Sequence, residues 1–257
     1  MNDYFDDYLK TLHAEASTPG EAAEASKQLL EMHHAIELCC QTKGHCTVLE
    51  LGVDRGQSTR VFLNALRKRG HLVSIDIRDC RLFEDRDDWT FVKGDSTDAN
   101  NALQSAPFLE AGIDVLYVDS LHEIKHVMKE IAIWWPFMNT NSQLFFDDIS
   151  TGPYKLGARK DSASTEINNA EILDYIQRLY FSNTESMSFR VLYGSTGLAC
   201  ITKYSPKGNI LSPAIKAPIR RQRWYWGLKR RMGIGKSYKR KEDGSDFLVS
   251  IQGEDIK

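Results

Sequence analysis

The sequence predicts an α/β fold built on a mostly parallel sheet, and three observations support this prediction. From residue 47 onward, short apolar runs alternate with helix-like stretches. The runs are continuously apolar, as in parallel strands covered on both faces. After the fifth run, one further helix precedes two strands joined by a glycine-rich turn. The predicted strands are 47–52, 71–76, 89–95, 114–120 and 143–148, and the hairpin lies within 189–204.

Apolar residues at helical spacing predict the connecting elements. Residues 21–41, 57–70, 121–135 and 165–181 carry this pattern. Gly70 is the expected cap of the second of these helices, because glycine often follows a helix end. Two adjacent tryptophans end the third helix, and we expect them to pack in the core rather than to form a stacking surface.

Composition limits the class of protein. The chain has 257 residues with 42% apolar content, enough for one α/β domain with extensions. Its acidic start lacks the basic-then-apolar order of a secretory signal, so we expect a cytoplasmic protein. The five cysteines are an odd number without C-x-x-C spacing, which argues against a disulfide framework or a structural zinc site. Cys39 and Cys40 are expected to act as small helix hydrophobes.

Charge is distributed unevenly along the chain. Residues 216–241 contain eleven Lys and Arg and no Asp or Glu, whereas the whole chain has a net charge of −2, so the remainder carries −13. Trp224, Tyr225 and Trp226 lie among these cations. The segment is expected to be a solvated extension or a strap on its own subunit or on a second copy in a homo-oligomer. Peripheral contact with the inner face of an anionic membrane is the second interpretation, and nucleic-acid binding is the least favoured because the body is acidic.

The turn after the first strand, E-L-G-V-D-R-G, indicates a ligand site. Its glycines are Gly52 and Gly56, so the spacing fails the G-x-G-x-x-G fingerprint of dinucleotide binding by one glycine. A diphosphate needs several free N–H groups at a helix N-terminus. S-adenosylmethionine has no phosphate but carries an ammonium, and Glu50 would suit that group. The turn therefore favours a methyl donor over a dinucleotide.

Acidic residues also end the next two strands. Asp76 can accept hydrogen bonds from both ribose hydroxyls, and Asp95 can accept one from an adenine amino group, with the backbone of Ser96 against the ring. If only one of these aspartates were present, the simpler interpretation would be that it starts a turn. Polar ends on successive strands favour a ligand, because ligands of open α/β sheets bind at the carboxyl ends of the strands.

These motifs resemble those of class I S-adenosylmethionine-dependent methyltransferases over about residues 45–203. E-L-G-V-D-R-G-Q-S-T, which includes Ser58, is similar to the first motif of the family, S-I-D-I to its second-strand acid and G-D-S to its adenine motif. The resemblance implies a Rossmann-like, seven-stranded, mostly parallel sheet with an antiparallel last strand. It also implies S-adenosyl-L-methionine as the methyl donor.

The fourth and fifth strands end in Asp119 and in Asp147-Asp148. Neighbouring parallel strands lie about 4.8 Å apart, so these carboxylates should converge. Several carboxylates in one cleft repel each other unless a proton or a cation lies between them. Mg²⁺ or Mn²⁺ would suit such oxygen ligands and would lower the pKa of an acceptor hydroxyl. The alternative for Asp147-Asp148 is a helix cap or loop pair.

The segment V-D-S-L-H through L-F-F-D-D resembles metal-dependent O-methyltransferases, and among these most closely the macrocin-type sugar O-methyltransferases and cephalosporin-hydroxylase-like proteins. The resemblance implies that Asp119, Asp147 and Asp148 bind metal. His122 or Asp119 would be the base; a structural role for His122 is an equal alternative. His126 is expected to face solvent or the helix packing.

We therefore predict an N-terminal helical cap (1–44), a methyltransferase domain (45–204) and a basic extension (205–257). The predicted reaction is magnesium-assisted methyl transfer to a hydroxyl of a sugar, glycan or other small molecule. The alternatives are a metal-free N- or O-methyltransferase and a non-catalytic scaffold that binds the donor and is anchored by the basic segment.

Overall fold

The computed structural model contains a seven-stranded sheet that confirms the predicted fold class. The spatial order is β3-β2-β1-β4-β5-β7-β6. The first five strands pair in parallel, and β7 pairs antiparallel with both β5 and β6. The strands are β1 (Cys46–Leu51), β2 (Gly70–Asp76), β3 (Trp89–Lys93), β4 (Ile113–Val118), β5 (Met138–Phe146), β6 (Met187–Leu192) and β7 (Leu198–Lys203). The structure describes residues 19–80, 86–155, 163–216, 236–240 and 246–250.

Helices connect these strands. Those at Pro19–Lys43, Gln57–Leu66, Ile124–Trp134 and Ala163–Ser182 lie where the periodicity predicts them, whereas the short helices Ala99–Ser105 and Gly152–Lys155 were not predicted. The α-helices are α1 (Pro19–Lys43), α2 (Gln57–Leu66), α3 (Ala99–Ser105), α4 (Ile124–Trp134), α5 (Gly152–Lys155) and α6 (Ala163–Ser182). Short 3₁₀ turns at Pro107–Ala111 and Trp135–Phe137 precede β4 and β5.

Alternate residues of each strand contribute to two separate cores. Val48 packs with α1 and α2, whereas its neighbour Leu49 packs with α4 and α6, because successive side chains of a strand point to opposite faces. Trp134 and Trp135 are almost completely buried in the second of these cores, which confirms their predicted packing role. Within the described residues, both faces of the sheet are thus covered by helices.

The predicted cap of α2 is wrong. This helix ends at Leu66, and Arg67 adopts the left-handed conformation (φ 47°) that closes it through a bond from its N–H to Leu63 O. Gly70 instead begins β2, where an added Cβ would lie 2.0 Å from the carbonyl oxygen of Cys46. A close approach between strands, rather than a helix end, requires glycine there.

The C-terminal residues Lys216–Lys257 form a separate compact unit. Within it the structure describes an antiparallel pair, β8 (Lys236–Arg240) and β9 (Asp246–Ser250). Residues 217–235, which include Trp224, Tyr225 and Trp226, lie outside the described residues, so the interpretation of the basic segment stays a prediction. The predicted domain boundaries at residues 44 and 204 also stay predictions. None of the described helices is long and apolar enough to cross a bilayer.

Candidate active site

A cavity of about 550 Å³ opens at the carboxyl ends of the parallel strands. This is the edge at which open α/β sheets bind ligands, and the volume suits a small molecule. Two of its side chains, Ile77 and Leu121, are large, apolar and more than half exposed, so they offer a surface for a planar ring. The predicted residues on the wall are Gly52, Asp76, Asp95, Ser96 and Asp119.

The turn after β1 depends on both of its glycines. Gly52 has φ 95°, and an added Cβ would lie 2.1 Å from the carbonyl oxygen of Asp119. Gly56 has φ 71°, donates to Val53 O at 2.7 Å and precedes the first residue of α2. Positive φ strains residues that carry a Cβ. Gly52 therefore lets the turn approach the end of β4 closely and also lines the cavity, whereas Gly56 shapes the turn without lining it.

Glu50 lies beneath this turn rather than on the cavity wall. Its side chain is fully buried and accepts hydrogen bonds from the hydroxyls of Ser58 (2.5 Å), Thr59 (2.8 Å) and Ser74 (2.6 Å). Burial raises the pKa of Glu50 to about 7, although these three hydroxyl bonds lower it. Glu50 and Ser58 thus connect β1, α2 and β2 below the site. In this structure neither residue lines the cavity where the sequence analysis expected them to meet the donor.

Asp76 shapes the cavity through its backbone contacts. Its Oδ2 accepts from the N–H groups of Val53 (3.0 Å) and Asp54 (3.2 Å), and its Oδ1 accepts from that of Arg78 (2.8 Å). Burial raises the pKa of Asp76, but these backbone donors outweigh it and hold the pKa below its ordinary value. The carboxylate is therefore ionised at neutral pH and can accept further hydrogen bonds from a ligand.

Asp95 follows β3, the strand next to β2, and also lines the cavity. Its Oδ1 accepts from both the N–H and the hydroxyl of Thr97, each at 2.8 Å, and these bonds lower its pKa. Asp76 and Asp95 therefore do start turns, as the simpler interpretation proposed, and they also line the cavity. The two roles coexist because each carboxylate has about four sites for donors.

A polar cluster at the cavity wall was not predicted from the sequence. The hydroxyls of Ser96 and Ser120 each donate to Glu130 Oε1 at 2.5 Å, and His126 Nε2 lies 2.9 Å from Ser96 Oγ. Glu130 is fully buried, and its Oε2 has no hydrogen-bond partner among the described residues. His126 lines the cavity instead of facing solvent or the helix packing, so that expectation was wrong. The spacing of His126 and Glu130, one helical turn apart, was the available signal.

The predicted acidic residues converge beyond Asp119. The buried hydroxyl of Tyr117 lies 3.2 Å from Asp119 Oδ2 and 2.8 Å from Asp147 Oδ2, so it contacts both carboxylates. The hydroxyl of Thr196, in the turn between β6 and β7, donates to Asp147 Oδ1 at 2.9 Å. Asp148 has φ 52°, which turns its side chain toward His122. Tyr117 and Thr196 are contributors that the sequence analysis did not single out.

His122 lies between two of these carboxylates. Its Nε2 is 3.2 Å from Asp119 Oδ1 without hydrogen-bond geometry, and its Nδ1 is 3.6 Å from Asp148 Oδ2. Burial lowers the pKa of His122, but the two carboxylates outweigh it and raise the pKa to about 9. Burial also raises the pKa of Asp119 to about 7, assisted by the charges of Asp147 and Asp148 and opposed by His122. The imidazolium therefore balances part of the negative charge of the cluster.

The possible metal ligands in this acidic cluster are of the kind that a hard cation prefers. Asp119, Asp147 and Asp148 supply carboxylate oxygens only, which suit Mg²⁺ or Mn²⁺. Their oxygens are not all within 4.8 Å of one another; among the described residues, that spacing is met by Cys39, Cys46 and Asp114. Binding one ion would thus require the aspartate side chains to rotate inward and His122 to give up its place between Asp119 and Asp148.

Comparisons with known proteins agree with the fold. Residues 49–149 match the family Methyltransf_24, described as a methyltransferase domain. A protein provisionally assigned as a caffeoyl-CoA O-methyltransferase from Staphylococcus aureus is 15% identical, with a TM-score of 0.52 over 78% of this chain and all of that one. The SAH-bound methyltransferase PaMTH1 of Podospora anserina is 14% identical, with a TM-score of 0.53 over 80% of this chain and 89% of that one.

A weaker likeness relates the chain to the MycE methyltransferase of the mycinamycin biosynthetic pathway, in complex with Mg, SAH and mycinamycin VI. The identity is 18% and the TM-score 0.49, over 79% of this chain and 57% of that one. This likeness is too low to bear on metal or substrate. Among curated protein sequences, none matches the chain.

Proposed function

With a methyltransferase domain over residues 49–149, the protein is a methyltransferase, and we propose that it transfers the methyl group of S-adenosylmethionine to a hydroxyl oxygen. The main support for this proposal is that Asp119 belongs to two parts of the site. It lines the cavity next to Gly52 and also belongs to the acidic cluster with His122. A donor held in the cavity would thus have its reactive end beside groups that can accept a proton.

Residues at the ends of β1, β2 and β3, and Leu121 after β4, would bind the donor. Gly52 lines the cavity, so its backbone would contact the donor, and Asp76 would accept hydrogen bonds from the ribose hydroxyls. Ile77 and Leu121 would contact the adenine ring, and Asp95 would accept from its amino group. An unpaired hydrogen-bond site in such a pocket costs about 1–3 kcal/mol, so each contact is measurable.

Residues of β4 and β5 would prepare the acceptor. Asp119 lies at the junction of the cavity and the acidic cluster, with His122 beside it, so both can orient an acceptor hydroxyl and Asp119 can receive its proton. Tyr117 and Thr196 hold Asp147 in place from two sides. Fixed placement of the reacting groups is itself a large contribution to rate in a displacement at carbon.

Asp119, Asp147 and Asp148 would hold a Mg²⁺ or Mn²⁺ ion, whose charge would lower the pKa of the acceptor hydroxyl. The support for this step is the excess of carboxylates over the single imidazolium in the cluster. Three neighbouring carboxylates are costly without a cation to balance them. We propose a sugar, glycan or other small-molecule hydroxyl as the acceptor, on the family resemblance of the sequence.

A metal-free methyltransferase is the second candidate, and one observation favours it. His122 already provides a positive charge between Asp119 and Asp148. However, a pKa of about 9 keeps this imidazole protonated at neutral pH, so it could accept a proton only after losing one. We therefore favour the metal-assisted reaction.

Labelled methyl transfer tests the proposal directly. The purified protein is incubated with methyl-labelled S-adenosylmethionine, Mg²⁺ and fractionated glycan or small-molecule extracts, and the labelled product is identified by mass spectrometry. An ether product on a hydroxyl supports the proposal. A label found on nitrogen, or transfer undiminished in excess chelator, favours the second candidate.

Peripheral membrane contact through residues 216–241 is a separate proposal, supported by the eleven cations of that segment. Sedimentation with anionic liposomes at low salt tests it, because such attraction is screened by salt. Protein that stays in the supernatant at low salt would leave the segment as a solvated extension or strap. Deletion of 216–257 should leave donor binding intact, since the donor residues lie before residue 122.

A further inference from the structure

A second candidate site lies at the opposite edge of the sheet from the cavity. Cys39 and Cys40 occupy the last turns of α1, and Cys46 is the first residue of β1. Gly44, with φ 77°, reverses the chain between them and donates to Cys40 O at 3.0 Å. The five residue steps from Cys46 to Leu51 span roughly 16 Å at the usual rise of a strand. This edge is therefore separate from the acidic cluster.

The potential ligand atoms are already close together. One atom from each of Cys39, Cys46 and Asp114 lies within 4.8 Å of the others. Two sulfurs at about 2.3 Å from one tetrahedral ion would be about 3.8 Å apart. Closing from the observed spacing thus needs side-chain shifts of only about an ångström. The buried Cys40 is not part of this set, because its thiol donates to the carbonyl oxygen of Arg69 at 3.6 Å.

Asp114 keeps room for another partner. Its Oδ1 accepts from Lys43 Nζ at 2.6 Å and Asn139 Nδ2 at 2.8 Å, whereas within the described part of the chain its Oδ2 accepts from the N–H of Thr47 alone, at 3.0 Å. A carboxylate has about four sites for donors or cations, so one on Oδ2 remains. The side chain of Lys43 is 42% exposed and can move toward solvent. A bound cation could then replace the ammonium as the balancing charge.

We propose that Cys39, Cys46 and Asp114 form a binding site for a thiophilic divalent cation such as Zn²⁺. Thiolate ligands select soft or borderline ions, in contrast to the all-oxygen acidic cluster, which suits Mg²⁺. Binding releases the protons of the two thiols to solvent, so zinc affinity rises with pH. The ion would connect the end of α1 to the start of β1. No such site was predicted from the sequence, because the cysteines lack C-x-x-C spacing. The fold brings them together.

Zinc titration of the full-length, reduced protein tests the proposal, with a chromophoric chelator as competitor. We expect one Zn²⁺ per chain with a dissociation constant of about 1 µM or lower. Zinc should also protect Cys39, the partly exposed ligand, from alkylation, as read by mass spectrometry. Cys39→Ser changes a partly exposed residue and should weaken binding more than about tenfold, because loss of a ligand exceeds the loss of an outer-shell partner.

Matched variants distinguish binding at this site from zinc uptake elsewhere on the chain. Cys200→Ala removes another buried cysteine, in β7, and should leave zinc affinity unchanged. Asp147→Asn alters the acidic cluster and should also leave it unchanged. Asp114→Asn should weaken it while retaining the shape of the side chain. The proposal is overturned if the reduced chain takes up no zinc, if Cys39→Ser binds it equally well, or if Asp147→Asn abolishes binding. Methyl transfer is not a readout, so this outcome is independent of the proposed function.

Discussion

The hydroxyl of Tyr117 donates a hydrogen bond to Asp147 at 2.8 Å and thereby connects the ends of β4 and β5. Tyr117→Phe removes this donor without changing the shape of the ring. We expect the free energy of unfolding to fall by about 1–3 kcal/mol, because a carboxylate loses its partner. If the acidic cluster holds a metal, the metal concentration for half-maximal activity should rise about 10–100-fold.

Urea denaturation and activity at varied Mg²⁺ measure these two effects. Tyr175→Phe, in the core contact of α6, is a matched control that should leave the metal requirement unchanged. Equal metal requirements in the Tyr117→Phe variant and the wild type would show that this hydroxyl does not position Asp147 for the reaction.

Asp76→Ala should weaken the affinity for S-adenosylhomocysteine by about 1–3 kcal/mol. The carboxylate is expected to meet the ribose hydroxyls, and it also holds the N–H groups of Val53 and Asp54 in the turn. Isothermal titration calorimetry measures the change, with Asp174→Ala on the exposed face of α6 as the control. Unchanged affinity would remove Asp76 from the donor site. Equal affinity of the wild type for NAD would contradict the interpretation of the glycine turn.

Removal of divalent metal should abolish turnover while leaving donor binding nearly unchanged, and Mg²⁺ or Mn²⁺ should restore it. Asp147→Asn keeps the size of the side chain but removes a charge, so it should raise the metal requirement before it lowers the maximal rate. Asp119→Asn should reduce the rate more, by about 10²–10⁴-fold, if that residue also accepts the proton. Full activity in excess chelator would exclude the metal-assisted reaction.

The raised pKa of Glu50 implies that the free energy of unfolding depends on pH. Its pKa is about 7 in the folded protein against an ordinary value of 4.5, because of burial. Below pH 4.5 the carboxyl is protonated in both states. As the pH rises from 4.5 toward 7, the unfolded state ionises first, so the folded state is progressively destabilised. Above pH 7 the destabilisation reaches its limit, on the order of 3 kcal/mol.

Glu50→Gln removes the ionisation. We therefore expect the free energy of unfolding of the variant, relative to the wild type, to increase from about pH 5 to about pH 8. Urea denaturation at both pH values measures this difference. Glu185→Gln, on an exposed turn, should show no such trend. A constant difference between the Glu50→Gln variant and the wild type would mean that the pKa of Glu50 is not raised.

The sequence predicts the strands and the positions of their terminal acids, because both depend on local pattern. A continuous apolar run predicts a buried parallel strand, and Asp76, Asp119 and Asp147 each lie at or just beyond the end of one. Parallel strands end at the same edge of a sheet, so the acids meet there without further information. This is the part of the site that local sequence is able to predict.

Contacts between elements are not predictable in this way. Glu50 has a strand position like that of a ligand-facing residue, but its side chain points beneath the turn, toward Ser58 and Ser74. His126 reaches Ser96 only because α4 packs with one particular rotation against the strand ends. Cys46 meets Cys39 only because the chain reverses at Gly44. Each of these contacts depends on the relative placement of elements, on which a single run of residues gives no information.

The sheet order separates the residues proposed to bind the donor from those proposed to prepare the acceptor, both in space and along the chain. Most of the expected donor residues follow β1, β2 and β3, with Leu121 after β4, whereas Asp119, Asp147 and Asp148 follow β4 and β5 on the other side of Gly52. Mutations after β5 can therefore accumulate without altering the donor half. Acceptor preference should thus be able to diverge quickly among duplicated copies of such a gene, while the requirement for the donor stays fixed. In laboratory evolution toward new acceptors, a library confined to residues after Phe146 would sample specificity at little risk to donor binding.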